Sequence, residues 1–456
     1  MNLITTKSEN LRGQIRLPGD KSISHRAALF AALAQGESRI NNFLVAGVTK
    51  PLLAGLTSLG IPWEINSNTL IVQGRGFAGW ETPVDVIDCG NSGTTLRLLA
   101  GALAAVGIPA TLDGSPGLRR RPMNRIIEPL RKMGVRIIGD DGHAPLRLEP
   151  AGSEIRGIDY SLPVASAQVK TCILLAALNA EGQTILREPG PSRDHTERLL
   201  QSLGVPLRSK SHRAPAAAGN FGGNQSKERQ YVTILTPQHP PHLPAFSLHI
   251  PGDISSAAFI IVAALITPGS DVVIENLGLN PTRTGLLDAL SRMGADIDIQ
   301  KQNEYMGEPN GTVRVRYSKL SGIDVDGELV VRMIDEFPAF SIAAVYAHGK
   351  TIVSGAKELR VKESDRIAAM CKELQTLGVP VAEKPDGFII PGNNIPKGGR
   401  VSAHGDHRLA MALAVAGLQA SGPVIVSGAE MIAESFPTFT KVLQSSGANL
   451  SSEGGI

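Results

Sequence analysis

The sequence predicts an α/β protein made of six copies of one βα-type unit, arranged as two triplets. Three observations carry this reading. Glycines close an alanine-rich first helix at Gly36, Gly107, Gly182, Gly269, Gly349 and Gly422, and a second helix at Gly60, Gly134, Gly204, Gly294, Gly378 and Gly447. One supersecondary unit therefore recurs about every 70 to 90 residues, its helix ends marked by the residue that tolerates a left-handed C-cap. Short β-branched strands such as Thr184-Ile185-Leu186, Val272-Val273-Ile274 and Val424-Ile425-Val426 follow the first helices. Finally, Leu17-Pro18-Gly19-Asp20 ahead of the first unit reappears as Ile250-Pro251-Gly252-Asp253 ahead of the fourth, the mark of a duplication into two halves.

The elements follow in chain order. First helices are expected at Arg26 to Leu33, Leu96 to Ala105, Val169 to Leu178, Ala257 to Leu265, Phe340 to Ala347 and Arg408 to Leu418. Small residues nearly all round them predict helices packed on every side. Second helices, such as Arg125 to Met133 and Asp365 to Leu377, carry more charge and are expected to line the solvent side. Alternation of helix and strand argues for helices buried behind sheets. Arg208 to Gln230 breaks the pattern with Ala, Gly, Asn, Ser and charge, and reads as a surface loop without a catalytic role. The two halves differ: Lys21 faces Ile254 and, with one gap, Arg26 faces Ala258. The scaffold was copied, but the cations were not.

Bulk properties narrow the class. A chain of 456 residues is long enough for two or three domains. Hydrophobic content of 42 % and charged content of 19 % fit a folded, soluble protein. A net charge of +3 gives no argument for nucleic acid or a membrane surface as partner. Cys89, Cys172 and Cys371 have no CxxC spacing, which suits a reducing cytoplasm. Residues 1 to 13 lack a signal pattern, and no apolar run reaches the ~18 residues of a membrane span. A cytoplasmic monomer is expected.

The unusual polar residues sit where first helices begin. Pro18-Gly19-Asp20-Lys21-Ser22-Ile23-Ser24-His25-Arg26 puts a lysine and a serine at a helix start, with Arg26 one turn on from Ser22. Free N–H groups, the helix dipole and added cations together make an anion site, although an ordinary N-cap would look the same. Unit two opens Cys89-Gly90-Asn91-Ser92-Gly93-Thr94-Thr95-Leu96-Arg97, where Thr94 or Thr95 can cap the helix. Three arginines, Arg119 to Arg121, follow before Pro122. Alone they read as a solvated loop, but beside two anion-type helix starts they read as a clamp. Ser166-Ala167-Gln168-Val169-Lys170 opens unit three, Asp335-Glu336-Phe337-Pro338 unit five, and His404-Gly405-Asp406-His407-Arg408 unit six. Arg360-Val361-Lys362-Glu363-Ser364-Asp365-Arg366 lies between the last two. Five of six units thus place polar or charged residues at one structural position.

These motifs, in this order from residue 11 to about 440, resemble the 5-enolpyruvylshikimate-3-phosphate synthase family. The resemblance implies a two-domain enolpyruvyl transferase fold of six βαβαββ repeats, three per domain, with a cleft between the domains. Residues 20–250 would form the N-terminal domain and 251–456 plus 1–19 the C-terminal one. It also implies transfer of the enolpyruvyl group of phosphoenolpyruvate to the 5-hydroxyl of shikimate 3-phosphate, by addition and elimination, with phosphate released. That step belongs to chorismate and aromatic amino-acid biosynthesis. Shikimate 3-phosphate is expected at Lys21, Ser22, Arg26, Ser166, Ala167, Gln168, Arg193, Asp335 and Lys362. Phosphoenolpyruvate is expected at Lys21, Gly93, Arg121, Gln168, Arg366 and Arg408, with Asn91, Thr94, Arg97 and Asp406 in support. Asp335 is the implied base for the hydroxyl. Glu363 is the implied proton shuttle on the methylene carbon, with Lys21 as a competing donor. No metal or organic cofactor is implied, since neither HExxH nor a P-loop occurs.

The sequence departs from the best-known family pattern at three places. Ala167 stands where a second serine is often seen, Val48 where an acid is expected, and Glu434 where some members place a lysine. It follows the branch with Ser-Ala-Gln and Arg-Asp-His. Gly93 leaves room beside the phosphoenolpyruvate subsite, so inhibition by glyphosate is expected. UDP-N-acetylglucosamine enolpyruvyl transferase is the alternative enzyme, but it commonly carries a cysteine in the loop that is 114–122 here, and this loop has none. A non-enzymatic anion-binding repeat protein would show diffuse basicity instead of cations paired with Asp335 and Glu363.

Overall fold

The computed structural model describes residues 1–149, 155–213 and 229–454. The chain divides into two compact units. One holds Met1–Lys21, Leu44–Gly47 and Ile250–Ile456, the other Ser22–Phe43 and Val48–His249. The first helices of the six repeats run Lys21–Leu33, Gly93–Val106, Ala167–Ala177, Ile254–Ile266, Phe337–Tyr346 and His407–Ala416. Every residue of Ile254–Ile266 is buried, as a helix that is apolar all round requires. Second helices are one-sided instead. In Asn124–Lys132 the apolar Ile126, Ile127 and Leu130 are buried while Arg131 and Lys132 face solvent.

Eleven of the twelve punctuating glycines adopt positive φ, Gly422 being the exception. There the helix His407–Ala416 passes into a 3-10 turn, Gly417–Gln419, and needs no left-handed residue. Gly36 also differs from expectation, because it lies inside the strand Gln35–Asn41 and not at a helix end. Two short helices outside the repeat, Pro116–Arg119 and Gly327–Arg332, bring the described helices to fourteen.

Each repeat contributes to a four-stranded sheet of one design. Ile87–Asp88 runs parallel to Ala110–Asp113, which pairs antiparallel with His143–Leu148, the inner strand of a hairpin with Ile137–Asp140. Three sheets borrow strands from far away in the chain. Ser247–His249 completes the sheet of Gln35–Asn41, and Arg12–Arg16 completes that of Asp271–Gly278. Asn2–Thr5 sits between Val424–Ser427 and Leu450–Glu453 in the last sheet. The strand just before each Pro-Gly-Asp therefore belongs to one unit and the bulk of the helix that follows it to the other.

The expected loop at 208–230 is corrected. Leu207–Arg213 and Arg229–Leu235 are antiparallel strands of the third sheet, seven register pairs long. Polar composition hid them because a strand with a solvent face needs only alternate buried residues, here Leu207 paired with the buried Leu235, while Arg208 and Lys210 on the other face are exposed. Residues 214–228 of that segment lie outside the described residues.

Candidate active site

In the unit that holds residues 250–456, three helix starts and one loop gather charge around Arg366. Its helix, Arg366–Thr376, begins at this residue, capped by Asp365, whose side chain accepts from the Ala368 N–H at 3.0 Å. The guanidinium is buried and makes a fork with Asp406, Nε donating to Oδ2 at 2.7 Å and Nη2 to Oδ1 at 3.3 Å. Nη2 also donates to Glu363 Oε2 at 2.7 Å and Nη1 to Asp335 Oδ1 at 3.2 Å. Asp335 meets two further cations, Lys362 Nζ at 3.7 Å and Arg408 Nη2 at 3.7 Å. Asp406 caps its own helix through the Arg408 N–H at 2.9 Å and accepts from Ser364 Oγ at 3.2 Å.

The electrostatics of this cluster favour charge in a place that should oppose it. Burial is the largest influence on the Asp406 carboxyl and would raise it, but the charges and hydrogen bonds that oppose it, led by Arg366, hold the pKa below the usual value. Burial likewise opposes the Arg366 cation, and Asp406, Glu363 and Asp335 together push its pKa above the ordinary arginine value. His407 has no such anionic majority. Burial first, then the charge of Lys21, press its imidazole down to about 3, and its Nε2 has no hydrogen-bond partner. Lys21 is the first residue of its helix.

The other unit brings together a second set. Arg97 Nη1 donates to Gln168 Oε1 at 2.5 Å and Nη2 to the Pro122 carbonyl at 3.2 Å, while Gln168 Nε2 donates to Thr94 Oγ1 at 3.0 Å. A Cβ at Gly93 would lie 3.2 Å from Arg121 Nη1 and 3.3 Å from Arg97 Nη1, so both guanidiniums lie against that bare backbone. Asn91 stands aside, accepting from Ser115 Oγ at 3.1 Å. The helix cap here is Ser92, whose Oγ accepts from the Thr95 N–H at 3.1 Å, which corrects the expectation for Thr94 or Thr95. The arginine run also separates. Arg119 turns to Asp113 on the surface, because a nearby carboxylate offers its fork two acceptors.

Ser22, Arg26, Ala167 and Arg193 form a third group, within the same unit as Arg97. Arg26 is buried and donates to Thr196 Oγ1 at 2.8 Å, Thr171 Oγ1 at 2.7 Å, the Ser22 carbonyl at 2.9 Å and the Ala167 carbonyl at 3.4 Å. Arg193 Nη1 reaches Ser22 Oγ at 3.4 Å. Ser166 caps the helix Ala167–Ala177, accepting from the Val169 N–H at 3.5 Å. Sequence reasoning did not single out Thr171, Thr196 or His407. A signal existed for the last two, since Thr196 follows Arg193-Asp194-His195 and His407 stands inside the Gly-Asp-His-Arg motif.

The fold is that of the enolpyruvyl transferases. The solved "enolpyruvyl transferase NikO" of Streptomyces tendae matches with a TM-score of 0.76 over 99 % of this chain and 98 % of that one, at 18 % identity, a likeness of fold. An EPSP synthase structure from Acinetobacter baumannii matches with a TM-score of 0.84, covering 99 % and 100 % at 38 % identity. Residues 5–443 match the family model for EPSP synthase (3-phosphoshikimate 1-carboxyvinyltransferase). Two curated proteins named 3-phosphoshikimate 1-carboxyvinyltransferase agree. The one from Acidithiobacillus ferrooxidans is 47 % identical over 96 % of both chains, and the one from Desulfitobacterium hafniense 45 % identical over 95 % of both. The chain belongs to the EPSP synthase family.

Proposed function

We infer that this chain transfers the enolpyruvyl group of phosphoenolpyruvate to the 5-hydroxyl of shikimate 3-phosphate and releases phosphate. The observation that carries this reading is the Arg366 cluster, in which one guanidinium holds both Asp335 and Glu363. Addition needs a base and an acid in one place. Asp335 takes the proton of the 5-hydroxyl as its oxygen bonds to C2 of phosphoenolpyruvate, and Glu363 delivers a proton to the methylene carbon. The tetrahedral ketal phosphate then loses phosphate by C–O cleavage, and Glu363 takes a proton back from the methyl group, restoring the double bond. Lys21 competes with Glu363 for the donor role.

Both substrates are polyanions, so binding must offset their mutual repulsion. Lys21, Arg121, Arg366, Arg408, Gly93 and Gln168 are assigned to phosphoenolpyruvate. Lys21, Ser22, Arg26, Ser166, Ala167, Gln168, Arg193, Asp335 and Lys362 are assigned to shikimate 3-phosphate. Fixed cations in a site shielded from water stabilise developing phosphate charge more than water can. The protein acts in the cytoplasm, as a monomer. No helix among the described residues is long and apolar enough to cross a membrane.

Phosphate release tests the reading directly. Turnover is expected with phosphoenolpyruvate plus shikimate 3-phosphate and not with phosphoenolpyruvate plus UDP-N-acetylglucosamine. Release with the nucleotide sugar alone would overturn it.

A further inference from the structure

Repeat four looks barren in sequence, because Ile254 and Ala258 stand where repeat one carries Lys21 and Arg26. Its second helix, Gly285–Arg292, nevertheless starts just after an arginine, Arg283, whose side chain is 3 % exposed. A guanidinium that deep is tolerated only where acceptors surround it. Nη1 donates to Asp20 Oδ2 at 2.8 Å, and Nη2 donates to Ser255 Oγ at 2.8 Å and Asp253 Oδ1 at 3.2 Å. Glu336 Oε1 lies 3.9 Å from Nη2 and also accepts from Ser255 Oγ.

The partners of Arg283 are neighbours in sequence of the reacting groups. Asp20 is one peptide bond from Lys21, and Glu336 is one peptide bond from Asp335. Each is fixed at its backbone. The Asp20 N–H donates to the Pro251 carbonyl at 2.9 Å, the Asp253 N–H to the Pro18 carbonyl at 3.1 Å, and Gly19 bridges Gly252. The Glu336 carbonyl accepts from the Phe340 N–H at 2.9 Å, tying that side to the helix Phe337–Tyr346. One rigid fork thus spans the start of the helix at Lys21 and the start of the helix after Asp335. Three carboxyls crowd one cation, and burial followed by the charge of Asp20 raises Asp253 to about 6.

We propose that Arg283 is a positioning residue that fixes Lys21 relative to Asp335, acting through Asp20 and Glu336. The proposal rests on the functional reading above, in which Lys21 and Asp335 serve one reaction. A planar fork can hold two acceptors at a set separation, whereas a lysine ammonium supplies the same charge as a point. Arg283→Lys therefore separates positioning from charge balance.

The test compares the unaltered chain with Arg283→Lys and Ser255→Ala, measuring melting temperature, KM for each substrate and kcat per folded enzyme by phosphate release. Arg283→Lys is expected to melt within a few degrees of the unaltered chain and to keep both KM values within about threefold, with kcat about 10- to 100-fold lower. Ser255→Ala, which severs the Glu336 arm, is expected to lower kcat in the same way by a smaller factor. An Arg283→Lys kcat within about twofold of the unaltered chain would overturn the inference, as would a kcat loss that merely tracks lost folded protein. Should Arg283→Lys not fold, an unchanged kcat in Ser255→Ala overturns it instead. An unaltered chain that releases no phosphate from the two substrates overturns the functional reading and this inference with it.

Discussion

At the scale of single residues, Asp335 carries the sharpest expectation. Its carboxylate lies among Arg366, Lys362 and Arg408, and Asp335→Asn keeps the size while removing the base. Turnover is expected to fall by about 10²- to 10⁴-fold with little change in melting temperature, read by phosphate release and calorimetry. A variant with full turnover would remove the proposed base. Gly93 gives a second expectation. A methyl there would meet the mobile ends of Arg121 and Arg97, which can give way, so Gly93→Ala should fold normally. The phosphoenolpyruvate KM should rise by about tenfold, and inhibition by glyphosate, expected of the unaltered chain, should weaken further. His407 sets a pH dependence. Its folded pKa, about 3, lies below the ordinary value of 6.5, so between those limits the unfolded chain binds the extra proton. Stability contributed by neutral His407 is therefore lost as pH falls through that window, by at most about 1.4 kcal/mol per pH unit. Asp253, raised to about 6, works in the opposite sense, losing stability as pH rises through 6. Melting curves from pH 7 to pH 4 should show a shallower acid loss in His407→Gln than in the unaltered chain.

At the scale of elements, the buried first helices depend on close approach. A Cβ at Gly101, in Gly93–Val106, would stand 2.3 Å from the Cys172 carbonyl oxygen in Ala167–Ala177. That neighbour is backbone and cannot swing aside, so the two helices must part. Gly101→Ala is expected to lower stability by about 1–3 kcal/mol, measured by denaturant unfolding, and to disturb Gln168 at the start of the second helix. The same helices were legible in sequence because their composition is nearly uniform. All six observed first helices contain most of their expected spans, and each starts earlier at its polar turn. Elements with a solvent face were harder to read. Composition points to a loop over 208–230, whereas the antiparallel strands Leu207–Arg213 and Arg229–Leu235 are held by cross-strand pairing.

At the scale of the whole molecule, two polyanionic substrates and a chain of net charge +3 imply that local cations do the binding. Partly exposed groups such as Lys362 feel added salt, which shortens screening from about 10 Å at 0.1 M to about 3 Å at 1 M. Both substrate KM values are expected to rise with ionic strength while kcat changes less, in initial-rate measurements over that range. A kcat that fell as steeply as the KM values rose would point instead to salt acting on the chemistry.

The sequence by itself determined the sixfold repeat, the duplication and the identity of the chemical motifs, because glycine punctuation, helix composition and local motifs are read within a few residues. It also located Asp335, Lys362, Glu363, Arg366, Asp406 and Arg408, though not that one guanidinium would gather three of those carboxylates. Only the tertiary structure decided which residues share a hydrogen bond. Ser92 displaced the threonines as cap, Arg119 left the arginine run for Asp113, and Arg283 proved to join Asp20 to the neighbourhood of Glu336. The physical reason is one of range. A helix or a turn is fixed by neighbours in the chain, whereas a buried charge is fixed by whichever partners can compensate it, here 263 positions apart for Arg283 and Asp20.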